Sequence, residues 1–383
     1  MTASSLNGIY PNYFERAGYS ADSIEKRLSA IFDTMFFGPD DERIYHETGD
    51  MGYIVDTGNI DVRTEGMSYG MMMSVQMDRK DIFDRLWKWS RTYMYLEDGI
   101  NKGFFCWSNA PDGSKNSGGP APDGEEYFAM ALLFASHRWG NGEGIFDYAH
   151  EACELLHNMI RSEGNGVGRG MFDSKNHLIR FITEVDFTDP SYHLPHFYEL
   201  FSKWAYPEDR TFYANAASAS REFLHRACHE STGLSSEYSY YDGRPYEKGE
   251  ENWGKHDWYY SDAYRTIMNI ALDHIWFGKD KWQEEEGERF VSFMNRLGPG
   301  RWNKVLDVDG TVRSEDALHP IAVIATNAAA AALIEDTTDI TEAAQRFVRL
   351  FWDTPLRGGN RRYYDNCLYL FAFMLLSGRY RIW

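Results

Sequence analysis

Helical periodicity recurs twelve times along this chain, and the spacing of the recurrences restricts the fold more than any other feature. Apolar residues three and four apart predict helices near 20–37, 65–77, 81–96, 122–138, 144–161, 189–203, 207–227, 260–277, 281–295, 318–335, 339–353 and 363–378. Within the pairs 65–77/81–96, 122–138/144–161, 189–203/207–227, 260–277/281–295 and 318–335/339–353, only about three to six residues intervene, as in antiparallel hairpins. The gaps before the pairs are mostly far longer. One end of the molecule therefore collects short turns and the other collects long loops.

The two members of a pair also differ in kind. "ALHPIAVIATNAAAAALI" (317–334) is almost uncharged and rich in small residues, as a helix buried on all sides must be, whereas "TEAAQRFVRLFWD" (341–353) is amphipathic. Six buried helices alternating with six amphipathic ones imply an all-α fold, an (α/α)6 barrel forming a single domain over residues 1–383. An open solenoid of helical hairpins is the competing architecture, but no fixed repeat period or shared consensus is visible. In the closed arrangement, the N-termini of the inner helices and all the long loops meet at one end.

Each of those N-termini carries a polar cluster. Glu65 heads the second helix in "TEGMSYGMMM" (64–73), Asp123 the fourth in "PAPDGEEYF" (120–128), and Asp262 the eighth in "YYSDAYRT" (259–266). "DPSYHLPHFYEL" (189–200) opens the sixth and "EDALHPIA" (315–322) the tenth. Taken singly, each acidic residue is an ordinary cap or a complement to the helix dipole. Gathered in one partly dry cleft, like charges raise the pKa of at least one member, so that one carboxyl stays protonated near neutral pH. Gly66 and Gly70 permit close backbone approach, and the methionines fill irregular space between ring helices.

Aromatic residues make up 16% of the chain, with 25 Tyr, 24 Phe and 12 Trp, a surplus that predicts many partly exposed rings on which pyranoses can stack. Trp107, Trp253, Trp258, Tyr240 and Tyr241 lie in the long loops. Two carboxyls beside such platforms can cleave a glycosidic bond, one protonating the leaving oxygen while the other activates water or attacks carbon. A net charge of −19 repels polyanions, which argues against nucleic acid as a partner.

Cys106, Cys153, Cys228 and Cys367 show no C-x-x-C spacing, so buried thiols in a reducing compartment are expected. "MTASSLNGIYPNYF" has no basic segment followed by an apolar one, and no run of 18 apolar residues occurs, so neither a secretory signal nor a membrane span is expected; the location expected is cytoplasmic. The histidines form no ligand set at metal-site spacing, and no metal or organic cofactor is expected. The oligomeric state is not legible.

At these motifs the chain resembles glycoside hydrolase family 8, inverting (α/α)6 enzymes acting on β-1,4-linked glucans, xylans and chitosan. "DVRTEGMSYGMM" (61–72) resembles the general-acid segment and maps the acid onto Glu65. "YYSDAYR" (259–265) resembles the base segment and maps it onto Asp262. "PAPDGEEYFAMAL" (120–132) gives Asp123 the role of holding the sugar at the cleavage point. "DPSYHLP" (189–195) places a tyrosine, Tyr192, beside the attacking water, with Tyr198 close by. The resemblance covers nearly the whole chain. It is closest to members that release xylose from the reducing end of xylo-oligosaccharides of three or more units, chiefly through "ALHP" (317–320). In those members, a Leu-His-Pro loop closes the cleft beyond the departing sugar, and its histidine contacts the anomeric hydroxyl. Leu318, His319 and Pro320 inherit these roles.

Arg63 and Arg265 are the expected charge partners of the two carboxyls, and Trp107, Trp258 and Tyr198 complete the expected substrate contacts. The rival readings are an endo-acting xylanase or β-glucanase of the family, a sugar epimerase using histidines, and a non-catalytic helical-repeat binding protein.

Overall fold

In this computed structural model, residues 3–247, 256–335 and 340–383 are described; Trp253 lies outside them. Among the described residues, twelve helices longer than eight residues appear, as the periodicity predicts: α1 Ala21–Phe37, α2 Thr64–Gln76, α3 Lys80–Trp89, α4 Pro122–Trp139, α5 Tyr148–Met159 and α6 Pro195–Trp204 in the first half. The second half carries α7 Arg210–Ala227, α8 Tyr264–Trp276, α9 Trp282–Leu297, α10 Pro320–Ala329, α11 Thr341–Asp353 and α12 Arg362–Leu376. The protein is all-α, with seven short strands among the described residues, confined to the connections. Among the described residues, no helix is long and apolar enough to cross a membrane.

The even-numbered helices are the buried ones. Every residue of α8 and of α12 is buried, as is all of α2 except Glu65. Along the chain, α2 packs on α4, α4 on α6, α6 on α8, α8 on α10 and α10 on α12, and α12 returns to α2. The odd-numbered helices lie outside this cycle, each against an even-numbered partner: α1 on α12, α3 on α2, α5 on α4, α7 on α6, α9 on α8 and α11 on α10. Burying each outer helix's apolar stripe stabilises it where its own propensity would not.

Close approach between ring helices needs residues without side chains. A Cβ on Gly66 would stand 2.8 Å from the Tyr363 ring of α12, and one on Gly124 would stand 2.4 Å from Thr64 of α2. Met71, Met72 and Met73 are fully buried and fill the interior.

Helix starts differ from the periodicity where proline intervenes. The residue before a proline avoids helical geometry, and Pro195 and Pro320 each take the first helical position, so α6 and α10 begin later than 189 and 318. Residues 190–192 instead form a separate 3-10 turn capped by Asp189, whose carboxylate accepts from the Ser191 amide at 2.7 Å. A second 3-10 turn, Ser261–Ala263, precedes α8, and a π-helical turn, Ser90–Met94, ends α3.

The aromatic surplus mostly packs inside rather than at the rim. A minority of rings are half-buried, and only Phe37 and Trp107 are exposed among the described Phe, Tyr and Trp residues. All four cysteines are free and buried, as their spacing predicts.

Candidate active site

The heads of α2, α4, α8 and α12 and the turn before α6 meet around one guanidinium. Arg265, the second residue of α8, has a side chain only 4% exposed, and its Nη1 donates to Glu65 Oε2 at 3.0 Å, Asp123 Oδ2 at 3.0 Å and the Tyr69 hydroxyl at 2.8 Å. Its Nη2 lies 3.2 Å from Asp262 Oδ1 and 3.8 Å from Asp189 Oδ2, while Nε donates to Ser191 Oγ at 3.1 Å. Carboxylates as far apart in the chain as Glu65 and Asp262 thus share one cation. Glu65 and Asp262 face its two different Nη atoms.

One positive charge cannot balance four carboxylates, and burial adds to their mutual repulsion in favouring the protonated forms. Burial is the largest influence on Glu65 and pushes its carboxyl up to about 8; Arg265 opposes the rise, and Asp123 and Asp262 reinforce it. Burial likewise raises Asp123 and Asp189. The Tyr363 hydroxyl donates to Glu65 Oε1 at 2.7 Å and fixes the rotamer of the acid. Gly66 makes room for that tyrosine.

Asp262 is presented by strained backbone. Ser261, immediately before it, has φ +42°, which a residue with a side chain adopts at a cost. The turn points the Asp262 carboxylate into open space, with a side chain 24% exposed against 13% for Glu65.

Two cavities meet at these carboxyls. The larger, about 680 Å3, is walled by Glu65, Asp123, Asp262 and Tyr192, with Trp107, Phe181 and Tyr238 supplying aromatic surface. The smaller, about 120 Å3, is walled by Leu318, His319, Tyr363 and Tyr364. Asn59, Arg63, Glu65 and Asp262 belong to both. Arg63 bridges Asp56 and Asp61, each at 3.1 Å, and lies 5.4 Å from the centre of the Trp107 ring. The strand pair Val62–Arg63/Ser108–Asn109 brings that tryptophan to the cleft, where it is 37% exposed and so available as a platform.

Most of the residues expected from the sequence therefore line one site, but Tyr198, Tyr240, Tyr241, Trp258 and Pro320 form neither cavity wall. Tyr198 is fully buried, its hydroxyl against the Glu126 carboxyl and 3.1 Å from the Tyr192 carbonyl oxygen, so it backs Tyr192 rather than facing the cavity. Trp258 forms neither cavity wall; the Arg313 guanidinium covers its ring at 3.9 Å. Pro320 supports the small cavity from the first position of α10.

Tyr69, Asp189, Tyr363, Tyr364 and Asp365 were missed by sequence reasoning. The rule that singled out the other inner N-termini applies equally to "RRYYDN" (361–366) at the head of α12, and would have found three of them.

Over residues 45–378 the chain matches the family model described as glycosyl hydrolases family 8. It is 52% identical over 376 residues to a reducing end xylose-releasing exo-oligoxylanase of Halalkalibacterium halodurans, covering 98% of this chain and 94% of that protein. It is 50% identical over 377 residues to the reducing-end xylose-releasing exo-oligoxylanase Rex8A of Paenibacillus barcinonensis, covering 98% and 97%. The solved structure of Rex8A complexed with xylose superposes with a TM-score of 0.96 at 48% identity, covering 100% of this chain and 99% of that one.

Proposed function

Because the chain belongs to glycosyl hydrolases family 8, we propose that it hydrolyses β-1,4-xylo-oligosaccharides of three or more units, releasing one xylose from the reducing end with inversion at the anomeric carbon. The closed cycle of six buried helices is read as the inner ring of an (α/α)6 barrel, with residues 1–383 forming one catalytic domain. Its placement in the cytoplasm is likewise our inference, supported by four unpaired, buried thiols.

The observation that carries the reading is the inequality of the two cavities. Glu65 and Asp262 stand where about 680 Å3 opens on one side and about 120 Å3 on the other. A chain of sugars fits the first and a single ring fits the second, so the bond at the junction is the last one before the reducing end. The glycosidic oxygen takes a proton from Glu65 as its bond to the anomeric carbon breaks. A water attacks that carbon from the opposite face and passes a proton to Asp262. Inversion requires room for that water, a carboxyl separation of about 6.5–9.5 Å rather than about 5 Å, and the two arms of Arg265 hold the carboxyls apart. Asp123 holds the distorted ring, Tyr192 borders the water, and Trp107 stacks on a sugar upstream.

Xylotriose carrying 13C at its reducing-end anomeric carbon tests this in one NMR experiment. All label should leave in free xylose, and the new xylobiose should appear first as the α-anomer. Label retained in xylobiose, a β-anomer, or a ladder of internal cuts on longer xylan would favour a retaining or endo-acting enzyme. No cleavage at all would leave the binding-protein reading.

The acid assignment sets the pH profile. Glu65 works only while protonated, and its carboxyl is held up to about 8, so kcat/KM should fall as pH climbs through that value. Stability follows the same sign: between the ordinary value of 4.5 and about 8, the folded state binds a proton that the unfolded chain releases, so this group's contribution is full below the window and lost as pH rises across it. An alkaline limb near pH 5 would contradict the assignment.

A further inference from the structure

The geometry points to Asp365 as a positioning residue that, with Arg357, clamps the Leu318–His319–Pro320 loop and fixes which nitrogen of His319 faces the departing sugar. The inference deepens the function proposed above and rests on it. Asp365 lies in the first turn of α12 and is fully buried. Its Oδ1 accepts the amides of Ile321 and Ala322, the first free N–H groups of α10, both at 2.8 Å. Its Oδ2 accepts from the Arg357 guanidinium and lies 3.0 Å from His319 Nδ1.

Arg357 holds the other side of the loop, donating to the Leu318 carbonyl at 2.7 Å. Its own backbone is tied to α12 by a reciprocal pair with Asn366, N–H to Oδ1 at 2.8 Å and Nδ2 to O at 3.0 Å. The loop, the head of α10 and the head of α12 therefore form one unit around a single carboxylate.

An ionised carboxylate only accepts hydrogen bonds, so His319 must donate from Nδ1. In the neutral ring Nε2 then keeps its lone pair, and that acceptor is the polar atom His319 can offer the 120 Å3 cavity. An acceptor there favours a sugar with a hydroxyl proton to give, the free hemiacetal of a reducing end, over an alkyl glycoside with only an ether oxygen.

Asp365→Asn inverts this polarity in a defined way. Two obligate donors, the Ile321 and Ala322 amides, face Oδ1 against one, the Arg357 guanidinium, at Oδ2, so the new amide oxygen takes the Oδ1 position, and its NH2 falls where Oδ2 faced His319, at the cost of the Arg357 contact. Nδ1 must then accept, and Nε2 becomes a donor. The ratio of kcat/KM on xylotriose to that on methyl β-xylotrioside should fall at least tenfold in Asp365→Asn. A loss confined to folding would lower both values together, and a ratio unchanged within twofold in a folded, active variant overturns the inference.

If the variant does not fold, the wild-type protein decides: with 15N-labelled histidine and His319→Gln for assignment, a long-range 1H–15N spectrum should show His319 protonated at Nδ1 only, and a proton on Nε2 overturns the inference. Wild-type protein that leaves xylotriose intact would sink the proposed function, while the tautomer measurement would still stand or fall by itself.

Discussion

Replacing Glu65 with glutamine is expected to lower turnover on xylotriose by roughly 10²–10⁴-fold, the range associated with a positioned general acid. The amide can keep the contacts to Arg265 and Tyr363 that hold the side chain at the head of α2, so the fold is retained and the loss is chemical. The leaving group decides the size. Xylose departs poorly without a proton, whereas fluoride departs well, so β-xylobiosyl fluoride should lose less than about tenfold. The alkaline limb near pH 8 should vanish with the carboxyl. Asp262→Asn should behave differently, losing both substrates, because each still needs an activated water. Near-normal turnover of xylotriose by Glu65→Gln would remove Glu65 from the reaction.

Arg265→Met is expected to cost the fold about 3–5 kcal/mol, the usual consequence of removing one partner from a buried ionic cluster. Four carboxylates face this guanidinium, and Glu65, Asp123 and Asp189 are already pushed toward their protonated forms by burial. Without the cation they repel one another or take up protons. Urea unfolding should therefore show a larger deficit at pH 8 than at pH 5, since protonated carboxyls need no partner. Activity should fall as well, because Asp262 would lose the guanidinium that holds its carboxylate in place. Equal stability at both pH values would mean that Arg265 is ordinary packing rather than the counter-ion of the site.

Arg265 also shows how far the sequence could be read. Its position three residues after Asp262 suggested a partner for that carboxylate, as i, i+3 spacing on a helix does. Nothing in that spacing announced that the same side chain also reaches Glu65 on α2 and Asp123 on α4. Tyr198 illustrates the opposite error. It sits six residues from Tyr192, close enough to seem equivalent, yet Pro195 starts a separate helix between them, so Tyr192 faces the cavity and Tyr198 faces Glu126.

The twelve helices, the alternation of buried with amphipathic ones, and the polar heads of the inner helices were all legible, because each is a local property. A helix repeats every 3.6 residues, and whichever face it hides is written in that period. Four of the buried helices thereby offered Glu65, Asp123, Asp262 and His319 from sequence alone. Only the tertiary structure decided how these groups share charge, which one stays protonated, how unequal the two cavities are, and that Asp365 ties His319 to α10. Those properties depend on distance and desolvation between groups as many as 298 positions apart, and the periodicity of a single helix holds no record of what stands opposite it.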